Sequence, residues 1–557
     1  MGAWKRAAAA AFLAMATIRP AAAAPPVSPK LIVVIAVDQF SAELYGRYRD
    51  LFTGGLKRLG GGIAWPAGWQ SHAATETCPG HSTILTGDHP ARTGIVANSW
   101  FDVKTGSSIY CVAVRGTGDP DARGPQNLRV DTFGDWLKAA RPGARVVSIS
   151  GKDRAAIMLG GHHADAVYWW VDGTGFATSS YAGPAGPSVT APAERWDAAL
   201  MARWRAAPPA LWPTDIPEDC RALVQSHMFG KERVSGAVPP DSARDVEDGP
   251  DFLARTGFQD QFRGAPLFDA VTLDFAAEAA AARGLGKGPQ PDLLAISLSA
   301  TDHIGHRFGN GGAEMCVQMH ALDAALGRLL DRIDALGTPY IVVLTADHGA
   351  IDAAERASEH GLAARRIDGI ALVAALNRHL RETLGIDYDP IDGGDPQQLV
   401  INAPGDAAFH TRIRDEAIAW LKKQDGVAEA LTADEIVRAA PPAGKDPAAL
   451  SLAERYHESH APGRSGDIAV EYARYATLGM PRGPGDYVAG HGSPWDYDRQ
   501  VPILFWWPGI ESARPAGPAE TVDIAPTLAA IVRISPPSVD GHCLPAIASC
   551  PATGDEK

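Results

Sequence analysis

Asp302 and His306 stand four residues apart in TDHIGH (Thr301–His306), and Asp347 and His348 are adjacent in ADHG. Asp38 closes the apolar run LIVVIAV, and His491 lies between two glycines in GHG. Each would be ordinary alone, since an Asp after a strand is often only a helix cap. As a set, three carboxylates and three imidazoles suit Zn²⁺ better than Mg²⁺ or Ca²⁺, which prefer all-oxygen shells. They divide naturally into two half-sites. Two metals about 3.5–4 Å apart stabilise both the attacking and the leaving oxygen of an in-line displacement.

A nucleophile and an anion clamp are the complementary requirements. In SHAATETCPGHSTILTG (Ser71–Gly87), Pro79-Gly80 is expected to break the chain before STILTG begins a helix. Thr77 then sits at or just before a helix N-terminus, where free N–H groups and the dipole favour an anion; a plain N-cap is the competing reading. A Thr77 hydroxyl bound to a metal would lose its proton near neutral pH and become a nucleophile. Asn98 could donate its amide to a phosphoryl oxygen or simply hold a turn. ARVVSISGKDR presents Lys152 and Arg154 at i and i+2 after a strand, which suits an anion clamp or, more plainly, a solvated basic turn. Two Zn²⁺ with Lys152 and Arg154, set against three Asp and a Thr77 alkoxide, leave about two positive charges. A phosphate monoester dianion balances that excess, whereas a diester monoanion meets half of it.

Positioning such residues requires strands that end together. LIVVIAV (31–37), ARVVSIS (144–150), LLAISLS (293–299) and YIVVLT (340–345) are apolar runs bounded by turn signals, which read as buried strands of a parallel sheet. Open α/β sheets bind ligands just outside the carboxyl ends of their strands. The expected fold class is therefore α/β, with a mostly parallel central sheet and helices on both faces. Residues 155–291, rich in Trp, Pro and Gly, read as an irregular cap insertion over the strand ends. Residues 367–480 read as a small α/β insertion. The core is left in three parts, 25–154, 292–366 and 481–557.

At 557 residues the chain is too long for one compact core. A formal charge of −14 argues against binding a nucleic-acid polymer, because phosphate contacts need basic surface. Lys5 and Arg6, the apolar stretch AAAAAFLAMATI and Ala21–Ala24 read as a signal peptide over 1–24, which implies export to a periplasm. No other stretch is apolar enough to span a membrane. Export permits disulfides among the six Cys. Cys543 and Cys550 could close a short loop; pairing among Cys78, Cys111, Cys220 and Cys316 stays open.

The order Asp38, Thr77, Asn98, Lys152/Arg154, Asp302-x₃-His306, Asp347-His348, His491 resembles the alkaline phosphatase superfamily. TETCPGHST and GKDR resemble the threonine-nucleophile (PafA-like) alkaline phosphatases within it. The resemblance covers about residues 30–155, 290–350 and 485–545, and is weak over both insertions. It implies two Zn²⁺: one held by Asp302, His306 and His491, the other by Asp38, Asp347, His348 and the Thr77 oxygen. It further implies that Asn98, Lys152 and Arg154 contact the phosphoryl oxygens, and that Thr77 forms a phospho-threonine which water then hydrolyses. The expected function is an exported zinc-dependent hydrolase of small phosphate monoesters, acting as a monomer. The related nucleotide pyrophosphatase/phosphodiesterases share the metals and the Thr. They typically lack the Lys/Arg clamp, so Lys152 and Arg154 favour the monoesterase.

Overall fold

A computed structural model describes residues 28–178, 187–241, 256–392, 394–483 and 485–550. The signal peptide expected over 1–24 lies outside the described residues. The central sheet has eight strands: β1 (Leu31–Val37), β2 (Ile63–Trp69), β3 (Val146–Ser150), β4 (Ala166–Val171), β5 (Gly175–Ala177), β6 (Asp292–Leu298), β7 (Tyr340–Thr345) and β8 (Gln500–Trp506). Their spatial order is β2-β8-β7-β1-β6-β3-β4-β5. The five strands from β7 to β4 are mutually parallel, and β8 and β5 join antiparallel at either side.

Successive residues of a strand face opposite sides of the sheet, and both sides of β1 are buried. Leu31, Val33, Ile35 and Val37 enter one apolar layer with the helices Ala42–Tyr48, Pro266–Ala282 and Ala313–Asp334. Ile32, Val34 and Ala36 enter the other with the helices Thr77–Thr86, Phe133–Ala140 and Ile524–Ile531. Burial on both faces is why these strands read as continuous apolar runs without alternation. The expected α/β class and mostly parallel sheet are borne out.

Residues 155–291, expected as a cap insertion, contribute elements to the central layers. The helix Asp153–Gly160 and the strands β4 and β5 belong to the central layers, and so does the helix Pro266–Ala282. The Trp-rich composition that suggested irregular structure is core packing. Trp170 on β4 meets Phe176 on β5 with ring centroids 5.4 Å apart, and Phe262 at 5.0 Å. Aromatics bury large areas in such clusters, so their density marks an apolar layer as readily as a loop.

Within 367–480 a separate antiparallel sheet forms from Ile391–Asp392, Gln398–Ile401, Ile468–Tyr472 and Val427–Thr432. The helices Gly369–Leu384 and Ala407–Leu421 pack on it around its own core of Leu376, Leu380, Leu399, Ile413 and Ile468.

Three disulfides join Cys78–Cys111, Cys220–Cys316 and Cys543–Cys550. Among the described residues, no helix is long and apolar enough to cross a membrane.

Candidate active site

Four neighbouring parallel strands deliver the site in spatial order. Asp347 follows β7, Asp38 follows β1, Asp302 lies just beyond β6, and Lys152 lies just beyond β3. Parallel strands are about 4.8 Å apart, so their carboxyl ends form a continuous row. The turn after β1 is held by Asp38 N–H donating to Leu298 O at 2.9 Å. Asp302 and His306 then occupy one face of the helix Ala300–Phe308, one turn apart.

Thr77 is the first residue of the helix Thr77–Thr86. That helix starts before the Pro79-Gly80 pair expected to break it. Pro is tolerated in a first turn because its missing N–H would have had no helical acceptor. Gly80 allows the close approach: a Cβ there would lie 2.0 Å from Asp347 O. The helix therefore abuts the Asp347 turn, with the Cys78–Cys111 disulfide behind it.

All ten residues singled out from sequence fall in one contact network. Lys152 Nζ donates to Asp38 Oδ2 and Asp302 Oδ2, each at 2.5 Å. The second oxygen of each of these carboxylates faces imidazole nitrogen. Asp302 Oδ1 lies 3.2 Å from His306 Nε2 and 3.5 Å from His491 Nε2. His348 Nε2 lies 3.5 Å from Asp38 Oδ1 and 3.3 Å from Asp347 Oδ2. Arg154 Nη2 is 3.4 Å from Thr77 Oγ1. Asn98 Oδ1 accepts the Cys78 N–H at 2.8 Å, leaving its NH₂ group available.

These distances fit metal ions on two independent grounds. Buried polar atoms nearly always have hydrogen-bond partners, yet Asp38 Oδ1 and His348 Nε2 are buried without any and lie 3.5 Å apart, with Asp347 Oδ2 3.3 Å from the same nitrogen. Ligands about 2.0–2.1 Å from a tetrahedral ion are separated by roughly 3.3–3.5 Å, close to the four imidazole–carboxylate separations above. In addition, Nδ1 of His306, His348 and His491 lies 2.8, 3.0 and 2.8 Å from the carbonyls of Ala489, Gly349 and Thr75. A ring that donates from Nδ1 turns its Nε2 lone pair toward the carboxylates, the orientation a metal-binding histidine requires.

Charge at this strand edge is finely divided. Burial, reinforced by Asp302 and Asp347, raises the Asp38 pKa above that of an ordinary carboxyl. Burial drives His348 well below the usual imidazole range. For His491 burial acts in the same direction, but the Asp302 carboxylate outweighs it and lifts the ring to about 9. Burial also works against the charged Lys152 ammonium, which Asp302 and Asp38 nevertheless hold above its ordinary value.

Sequence reasoning missed three participants. His81, one turn after Thr77 on the same helix, has Nδ1 2.9 Å from Thr77 O and 3.0 Å from Asp347 Oδ2. Its i+4 spacing from Thr77 was a usable signal. Half-buried Glu76 accepts the Asn98 N–H at 2.8 Å, and desolvation with Asp395 nearby raises its pKa to about 6. Tyr487 stacks on His306 with centroids 4.7 Å apart while staying 56% exposed. Neither Glu76 nor Tyr487 sits in a spacing that points to chemistry.

A family profile described as type I phosphodiesterase / nucleotide pyrophosphatase matches residues 32–493. The chain is 39% identical to alkaline phosphatase PhoK of Sphingomonas sp. over 540 residues, covering 93% of this chain and 91% of that protein. It is 38% identical to alkaline phosphatase PhoD of Zymomonas mobilis, covering 92% and 88% respectively. The crystal structure of wild-type alkaline phosphatase PafA superposes with a TM-score of 0.80 at 26% identity, covering 94% of this chain and 99% of that one. The chain therefore belongs to the type I phosphodiesterase / nucleotide pyrophosphatase family, and stands within it among the alkaline phosphatases.

Proposed function

We propose that this phosphoric monoester hydrolase is an exported, zinc-dependent alkaline phosphatase that works through a phospho-threonine on Thr77. The observation that carries the reading is the pair of buried atoms without hydrogen bonds, Asp38 Oδ1 and His348 Nε2, 3.5 Å apart beside the helix that begins at Thr77. Asp38, Asp347 and His348 would hold one Zn²⁺, and Asp302, His306 and His491 the other. When bound, these ions supply Lewis-acid polarisation of the phosphoryl group and lower the pKa of the attacking hydroxyl.

The protein's own groups do the rest. Thr77 Oγ1 attacks phosphorus, the ester P–O bond breaks, and the alcohol leaves. Water then attacks the phospho-threonine from the opposite side, releasing phosphate and restoring the hydroxyl. The helix N-terminus favours the negative charge carried by both states. Arg154 keeps its buried Nε–H without a partner, and Asn98 keeps its NH₂ free, so both can donate to phosphoryl oxygens. Lys152 ties the outer oxygens of Asp38 and Asp302 and adds its positive charge beside the transferred group. Small phosphate monoesters are the substrates, since this clamp answers the second negative charge that diesters lack. Export accords with the basic and apolar N-terminal stretch and with three disulfides, which persist in oxidising compartments.

The test is acid quenching of the zinc-loaded full chain during aryl phosphate turnover, followed by peptide mass spectrometry. Phosphate on the peptide carrying Thr77 is expected. Steady turnover with no covalent phosphate, together with a fully active Thr77→Ala variant, would refute the mechanism.

A further inference from the structure

A second group of ligating side chains lies beyond the far end of the nucleophile helix. Ten residues at 1.5 Å each put the two ends of Thr77–Thr86 about 15 Å apart. His89 follows that far end, Glu458 caps the helix Leu452–His457, and Asp540 precedes the loop closed by Cys543–Cys550. One ligating atom from each lies within 4.8 Å of the other two.

His89 is 9% exposed and lines a cleft of about 490 Å³ together with Glu458, Glu520, Asp523 and Asp540. Its Nδ1 has no hydrogen-bond partner. Its Nε2 faces Glu458 Oε2 at 3.8 Å and Glu520 Oε2 at 3.9 Å, too far for hydrogen bonds. A buried imidazole whose Nδ1 is unsatisfied, on a ring that lines a polar cleft, calls for a ligand or an ion, because unsatisfied buried polar atoms are rare and costly. Its separations from the carboxylates are a few tenths of an ångström wider than those at the Thr77 centre.

The local charge is unbalanced. Arg92 Nη1 sits 2.9 Å from both Asp88 Oδ1 and Asp540 Oδ1, and Lys445 is occupied with Glu454 at 2.7 Å. Neither cation pairs with the two glutamates that face His89, although Glu520 Oε2 also accepts the Ser71 hydroxyl. Asp540 Oδ2 accepts the His89 N–H at 2.9 Å, and a carboxylate oxygen keeps a second lone pair for a further partner. The backbone holds the segments in place: Ala91 N–H donates to Glu458 O and Gly541 N–H to Gly87 O, each at 2.9 Å.

We propose that His89, Glu458 and Asp540, with Glu520 in reach, form a structural site for a divalent cation of the zinc type. An imidazole among carboxylates selects such an ion over Ca²⁺ or Mg²⁺, which favour oxygen alone. The ion clasps three segments that are far apart in sequence. It takes no part in the reaction at Thr77.

The experiment titrates the metal-free full chain with Zn²⁺ alone and counts bound ions by native mass spectrometry. Wild type should hold one ion more than His89→Ala and one more than Glu458→Gln, while both variants keep aryl phosphate turnover within about twofold. Equal counts in wild type and both variants overturn the site. Should the variants fail to fold, anomalous scattering at the zinc edge from wild-type crystals decides. A peak among the three side chains supports the clasp, and none at threefold molar excess of Zn²⁺ overturns it. The readout is a difference between wild type and variant, so it holds whatever number of ions the Thr77 centre takes.

Discussion

Asp323 and Asp38 are both buried carboxylates beside the central sheet, and the protein treats them in opposite ways. Asp323 sits behind the helix Gly55–Gly60, and its oxygens accept four backbone N–H groups, from Thr53, Gly54, Leu56 and Lys57, at 2.6–3.3 Å. Asp38, at the carboxyl end of β1, spends one oxygen on Lys152 and leaves the other with no hydrogen bond. A buried charge that the backbone satisfies is structure, because desolvation is repaid locally. One left half-satisfied among like charges lowers stability, and its presence is accounted for by what it can hold.

The contrast can be broken most directly at the strand edge. Replacing Thr77 by Ala should lower monoester turnover by about 10⁴-fold or more, since a covalent route loses its nucleophile while binding groups remain. Steady-state kinetics with an aryl phosphate checks this. Stripping divalent ions with a chelator should abolish turnover to a similar degree, and Zn²⁺ should restore it. Recovery with Ca²⁺ alone would contradict the nitrogen-rich ligand set. Lys152→Ala combined with Arg154→Ala should cost roughly 10³-fold in monoester kcat/KM and about tenfold for a diester. Equal losses on both substrates would mean that these cations do not read the second charge of a monoester.

Stability measurements sharpen the same comparison. Asp323→Ala should destabilise the protein by about 2–4 kcal/mol, because it orphans several buried N–H groups, yet leave metal content unchanged. Asp38→Asn should do the reverse. The raised Asp38 pKa means that the folded state disfavours its ionised form, a cost absent at low pH and growing as pH rises through that pKa. Metal-free Asp38→Asn should therefore melt no lower than metal-free wild type at neutral pH, while losing zinc affinity. Thermal melts and metal counts on both variants decide it. The smallest effect expected is at Tyr487: its loss uncovers one face of His306 and should raise KM for aryl phosphates by about two- to fivefold.

The candidate site was legible in the sequence to an unusual extent, and the reason is topological. In a parallel sheet each apolar run must stop where its strand leaves the core, so Asp38, Lys152, Asp302 and Asp347 announce themselves by following buried strand runs. Positions outside that grammar were harder to read. Glu76 matters through its contact with the Asn98 backbone, and His81 through a turn 266 residues away in sequence at Asp347. The extent of a cap over 155–291 is harder to read, because Trp170 and Phe176 look alike in sequence whether they pack beneath a sheet or line a loop.

Sequence alone determined the residue types, their attachment to strand ends, and hence a cluster of nitrogen and oxygen ligands beside a hydroxyl at a helix start. Tertiary structure alone decided how the oxygens are shared. Lys152 takes the outer oxygen of Asp38 and of Asp302, and the backbone carbonyls of Ala489, Gly349 and Thr75 orient three imidazoles inward. Apart from His348 and its neighbour Gly349, these partnerships join segments 114 to 416 residues apart, and hydrogen-bond direction depends on where atoms lie in space, which no local pattern of residues encodes.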